Sequence, residues 1–206
     1  MIVPSMTLEE LVNEILSDKQ IVIRKSLHLT EKLRREAIKT RNKKLYRFYE
    51  YKSKQKNNWL ILIDYNSGDP LILSVVHYLN NFGLNAVSIL SDKKTLVHYS
   101  AHFLERFNER FLKQENLSKL DVLKQFLPQN NIATYDFIPD SGEFKNRVFA
   151  RFKDGIGLGI YEKLWNNKMI FLKTYISPEM IKKCQNKEYI SITAAFQEHW
   201  NEFYKI

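Results

Sequence analysis

His102, Arg106 and Arg110 recur at i, i+4 and i+8 in the run from Ala101 to Phe111. On a helix, steps of four residues place side chains on one face. Ser100 is a residue type that caps helix starts, so the imidazole falls in the first turn, where the positive helix end disfavours its protonation. A neutral imidazole beside two permanent cations suits RNA cleavage. The ring can accept the proton of a ribose 2′-hydroxyl while the guanidinium groups stabilise charge growing on the phosphate. The plainer alternative is a charged surface helix, with Arg106 paired to Glu109 and Glu109 to Lys113. Phe103, Phe107 and Phe111 form the neighbouring stripe and are expected to be its buried side.

Positioning such a helix requires a sheet. Arg147 to Lys153, Ile156 to Lys163 and Lys168 to Ile176 read as three strands, joined by Asp154-Gly155 and Asn166-Asn167 as two-residue hairpin turns. That pairing sets Arg151 opposite Leu158 and Ile160 opposite Lys173. One face then gathers Val148, Ala150, Phe152, Gly157, Gly159, Tyr161, Ile170, Leu172 and Thr174, with glycines leaving room for the helix phenylalanines. The other gathers Arg147, Phe149, Arg151, Lys153, Leu158, Lys173 and Tyr175. Cations interleaved with aromatics suit phosphates and bases together, so Arg147, Arg151, Lys153 and Tyr175 are candidate nucleic-acid contacts. Solvated edge cations on a partly covered face are the bland alternative. A one-residue bulge would exchange the faces.

The remaining elements are expected as follows. Thr7 to Ser17 reads as a capped helix and Ile21 to Ile23 as a brief strand. Ser26 to Lys44 reads as a strongly basic helix with Leu27, Leu29, Leu33, Ala37 and Ile38 on its buried side. Leu45 to Ser53 and Asn58 to Tyr65 form a hairpin, and Leu71 to Phe82 an apolar helix ended by Gly83. Asn85 to Leu90 and Thr95 to Tyr99 form a second hairpin, Ser118 to Leu127 a helix, and Ser191 to Tyr204 a closing helix. The fold class is therefore α+β: an antiparallel sheet, made of a C-terminal three-stranded meander plus N-terminal hairpins, packed against several helices. Residues 1–96 form an N-terminal α+β region without an evident role and 97–206 a nuclease-like region; one continuous domain is the alternative division.

Composition narrows the partner class. The 206 residues carry 32 Lys+Arg against 23 Asp+Glu, a formal charge of +9 with a pI near 9.4. Such a chain favours polyanions through phosphate neutralisation and counterion release. The single cysteine, Cys184, rules out an intramolecular disulfide and a cysteine-based zinc cluster; packing is its expected role. No apolar run is long enough to span a membrane and the N-terminus lacks signal-peptide regions, so the expected setting is the cytoplasm. Glu50-x-Lys52 resembles a metal-dependent nuclease pattern, but its only nearby acidic partner is Asp18. His98 and His102 straddle a strand–helix junction, and His28, His77 and His199 are isolated. No metal site and no cofactor is expected. Gly155-x-Gly157-x-Gly159 alternates within a strand with no helix after it, unlike a dinucleotide fingerprint.

The run His102-x3-Arg106-x2-Glu109-Arg110, followed by Leu117-Ser118-x2-Asp121-Val122 and a meander ending in Lys173-Thr174-Tyr175, resembles ribonuclease-toxin-related domains of the barnase/EndoU/colicin/RelE-like group. The resemblance covers about residues 97–176. It implies metal-independent RNA cleavage, with His102 as general base or acid, Arg106 and Arg110 on the phosphate, and Lys173 or Thr174 near the scissile bond. Small members follow the Glu-Arg pair directly with a Gly-Ile-Ser-like turn; here Phe111-Leu112-Lys113-Gln114-Glu115 intervenes, and the chain is longer than a minimal toxin. The expectation is an RNA-directed protein, an endoribonuclease of toxin or mobile-element type. A non-catalytic nucleic-acid-binding or toxin-associated module is the alternative. An acidic antitoxin-like protein is a further expected partner.

Overall fold

Thr7 starts the first helix by capping: its hydroxyl accepts from the Glu10 amide while the Glu10 carboxylate accepts from the Thr7 amide. In a computed structural model of the chain this helix, α1, runs unbroken over Leu8–Thr40 and ends at Arg41 in the left-handed region. The structure describes all residues except 42–43, 67–69, 91, 93, 139–144, 182–185 and 205–206, and leaves out the side chains of 44, 66, 186–188 and 202–204. Cys184 lies outside the described residues. The brief strand expected at Ile21 to Ile23 is helical instead. One buried stripe links Leu11, Ile15, Asp18, Val22, Ser26, Leu29, Leu33 and Ala37 at three- and four-residue steps. Its polar members disguised its continuity: Asp18 accepts from Asn57 Nδ2 (2.8 Å) and Trp59 Nε1 (3.1 Å), and Ser26 meets Ser74 (3.1 Å). Leu27 and Ile38, expected inside, are exposed.

The chain divides into two units, Met1–Ile89 and Leu90–Ile206. In the first, β1 (Lys44–Lys52), β2 (Asn58–Asn66), β3 (Leu71–Asn80) and β4 (Gly83–Ile89) form an antiparallel sheet against α1. Trp59 to Ile63 in β2 are fully buried. The helix expected over Leu71 to Phe82 is the strand β3. Its β-branched Ile72, Val75 and Val76 prefer the pleat, and Gly83, at φ 125°, closes a hairpin rather than a helix.

In the second unit β5 (Thr95–Tyr99) leads into α2 (Ala101–Phe107), a π-helical turn (Asn108–Leu112) and α3 (Lys119–Gln129). Then come β6 (Thr134–Ile138), β7 (Arg147–Arg151), β8 (Ile156–Leu164), β9 (Asn167–Ile176), a 3₁₀ turn (Pro178–Met180) and α4 (Asn186–Tyr204). The fold class is α+β. The expected three-stranded meander is larger: β6 adds antiparallel to β7, and β5 adds parallel to β9. The parallel pair exists because α2 and α3 intervene between β5 and the meander, giving the long crossover such pairing needs.

Both hairpin turns differ from expectation. Arg151 pairs with Ile156 around a four-residue loop, and Leu164 pairs with Asn167, so Trp165-Asn166 is the second turn. Each change moves the pairing by two residues and preserves the faces. A bulge between Leu158 and Gly159 then slips β9 by one, leaving Lys173 unopposed and setting Thr174 against Leu158 and Tyr175 against Gly157. Gly159 permits this: a Cβ there would overlap the Phe171 carbonyl oxygen and lie 3.1 Å from Leu172 Cα.

Candidate functional site

The helix that carries His102 is held by aromatic packing. Phe103 and Phe107 are fully buried against Phe126 and Tyr175, with ring centroids 5.1–5.9 Å apart in edge-to-face contacts. Gly157 leaves the space: a Cβ would stand 3.2 Å from Phe103. The helix start is tied to β9, since the Ser100 amide donates to Leu172 O (3.2 Å) and its hydroxyl to Lys173 O (3.3 Å). The same hydroxyl accepts from the Phe103 amide (3.1 Å), so Ser100 is both cap and anchor.

On the outer side His102 is exposed and Arg106 partly so. Arg106 Nε donates to His102 Nε2 across 3.4 Å, and its Nη1 to Glu109 at 2.5 Å. Glu105 binds Lys119 at 2.7 Å. Arg110 does not continue the row: its Nη1 donates to the backbone carbonyl of Tyr175. The π-turn causes the departure. It adds a residue to the helical repeat, retarding each later side chain around the axis, so Arg110 swings toward β9 and Phe111 becomes exposed rather than buried. The turn closes at Lys113, at φ 54°, with Asn108 Nδ2 donating to Gln114 O (2.9 Å).

Lys173 is exposed at the bulge and Thr174 is half-buried. The basic–aromatic face is covered. Phe149, Leu158, Ile156 and Ile176 pack with Ile192 of α4, and the Arg151 guanidinium lies 5.3 Å from the Phe196 ring centroid. Arg151 donates to the carbonyls of Phe152 and Gly155, closing its own hairpin. Arg147 is half-buried, and Lys153 is exposed with Nζ 5.7 Å from the Trp200 ring. Tyr175 is fully buried on the opposite, α2-facing side, so its ring is not presented to a ligand; the bulge put it there. Burial, with the Asp154 charge second, pushes its phenol up.

His98 and His102 do not converge: His98 is buried in β5, where burial lowers its pKa to about 4. Glu50 and Lys52 are exposed on β1, while Asp18 is committed to Asn57 and Trp59. Among the described residues, no three His, Cys, Asp or Glu side chains come together as a metal-binding group, and no helix is long and apolar enough to cross a membrane. Sequence reasoning passed over the tip of the β8–β9 hairpin, where Lys163, Trp165 and Lys168 gather; a tryptophan beside Asn-Asn in a turn was the available signal. No family model, curated protein or solved structure matches the chain.

Proposed function

We propose that the chain is RNA-directed and cleaves RNA without a metal, using the exposed face of α2 and the adjoining bulge of β9. The carrying observation is the His102–Arg106 pair, an exposed imidazole with a guanidinium 3.4 Å away, on a helix anchored to the residue that precedes Thr174. In the reaction, His102 Nε2 takes the 2′-hydroxyl proton and the 2′-oxygen bonds to phosphorus. The bond from phosphorus to the 5′-oxygen breaks, leaving a 2′,3′-cyclic phosphate, and the departing oxygen takes a proton from solvent or from the Lys173 ammonium. Arg106 must exchange His102 for a phosphate oxygen, which frees Nε2 and places charge where the transition state needs it. Arg110 acts through β9, holding the helix end to the Tyr175 carbonyl.

Cleavage of a mixed RNA in EDTA, followed for wild type and His102→Ala, tests this. The variant is expected to cleave about a hundred- to ten-thousand-fold more slowly while binding RNA as before. Equal rates remove His102 from the chemistry. The second reading, a non-catalytic nucleic-acid-binding module, is favoured by one feature: both guanidinium groups have internal partners, Arg106 with Glu109 and Arg110 with Tyr175 O. It predicts salt-sensitive binding without strand scission in either protein.

A further inference from the structure

The β8–β9 hairpin turns on Trp165 and Asn166, and Trp165 adopts φ 48°. Left-handed backbone suits glycine or asparagine and is an outlier for a bulky residue. The indole is 92% exposed, so packing does not offset the strain. Asn166, a better residue for such a position, stands next to it. Neither the turn nor the core needs a tryptophan here, and strain of this kind is found where a side chain serves a ligand.

A second unfavourable choice lies directly beneath. Lys163 and Lys168 are cross-strand partners, and like charges directly opposite each other repel. The Lys168 ammonium is fixed 4.1 Å from the Phe137 ring centroid and 5.6 Å from that of Tyr161, the two rings meeting edge to face at 4.9 Å. The Lys168 amide donates to Lys94 O (2.9 Å), which brings Lys94 alongside. Among the described residues, the acid that feels Lys168 is Asp92, whose carboxylate is already bonded to the Thr95 hydroxyl and to the amides of Lys94 and Thr95. Glu162 points to the other face of β8, by strand alternation.

We propose that this tip is a nucleic-acid contact in which Trp165 stacks on an unpaired base while Lys163, Lys168 and Lys94 take the flanking phosphates. A free aromatic face beside clustered cations is the pairing that single strands require. RNA is favoured over an anionic lipid surface because the opposed Lys163 and Lys168 flank a single exposed indole, an arrangement that phosphates and one unpaired base engage together. The inference rests on the RNA-directed reading for its ligand class.

The experiment measures anisotropy of a fluorescein-labelled single-stranded 15-mer RNA and of the same sequence as a duplex, with the full chain and with Trp165→Gly. Single-strand affinity is expected to fall about 5- to 100-fold, with little change for the duplex. The variant's Tm is expected to rise by about 2–4 °C, because glycine relieves the left-handed strain. Unchanged single-strand affinity, with wild type still binding, overturns the tip alone. Absence of RNA binding by wild type overturns both this inference and the reading beneath it. A fall in Tm makes Trp165 structural and also overturns the proposal. Phosphatidylserine vesicles form the remaining arm: a Trp165-dependent fluorescence shift there, without RNA binding, assigns the tip to lipid and overturns the nucleic-acid contact.

Discussion

His98 makes stability depend on pH in a calculable way. It sits in β5 with its ring 5.4 Å from that of Phe171, and burial lowers its pKa from 6.5 to about 4. Because the folded-state value lies below the unfolded one, the unfolded chain takes up a proton near pH 6.5 that the native state refuses until about pH 4. Stability therefore falls as the pH drops through this window and levels off below it. A gap of about 2.5 pH units, at about 1.4 kcal/mol each, amounts to about 3 kcal/mol. Other groups titrate nearby. Burial raises Asp64 and Asp154, which favours the fold as pH falls, whereas the hydrogen bonds from Thr95 and Lys94 outweigh the burial of Asp92 and lower it, with the opposite effect. These contributions are common to wild type and His98→Gln, so the difference between the two isolates the imidazole. Urea unfolding followed by circular dichroism from pH 7.5 to 4 measures it. Wild type should lose about 3 kcal/mol relative to the variant, mostly between pH 6.5 and 4. Parallel stability curves would refute the reasoning, because a ring that reached solvent would accept its proton in both states.

Three substitutions test the parts that place the site. Gly159→Ala should destabilise by roughly 3 kcal/mol or more, since the methyl meets the backbone of Phe171 and Leu172, whereas Gly157→Ala should cost about 1–3 kcal/mol because the side-chain ends of Phe152, Leu172 and Phe103 can shift. Urea titration gives both values, and the reverse order would contradict the bulge at Lys173. Arg110→Ala leaves the Tyr175 carbonyl without its donor and should cost about 1–3 kcal/mol. A drop in RNA affinity with stability unchanged would instead return Arg110 to the phosphate.

What the sequence made legible followed local chemistry. The Thr7 capping box, the Ser100 cap, the β1–β2 hairpin and the strands β7 to β9 are all written in short-range patterns. The misreadings arose where tertiary partners override those patterns. Two helices with a strand between them were expected where α1 is continuous, because the partners that let Asp18 and Ser26 be buried, Asn57, Trp59 and Ser74, lie about 40 residues or more away. β3 was taken for a helix because its apolar residues run together without strict alternation, although only Val75 and Val76 are buried. β6 was missed outright: its five residues, Thr134–Ile138, are too few to announce themselves without the β7 edge they join.

The candidate site shows the same division at finer scale. His102 and Arg106 lie one α-helical step apart, and they do meet, at 3.4 Å. Arg110 lies a second step on, and the π-turn between them breaks the inference, because a spacing rule assumes a constant repeat. That turn begins at Asn108 and includes Arg110 itself. The Arg110 guanidinium clamps the helix end to β9, and β9 also anchors the helix start through Ser100. A helix fixed at both ends to one strand keeps His102 at a set distance from the Lys173 bulge. Rigid placement of that kind is what a proton-transferring side chain requires, and a merely charged surface helix does not need it.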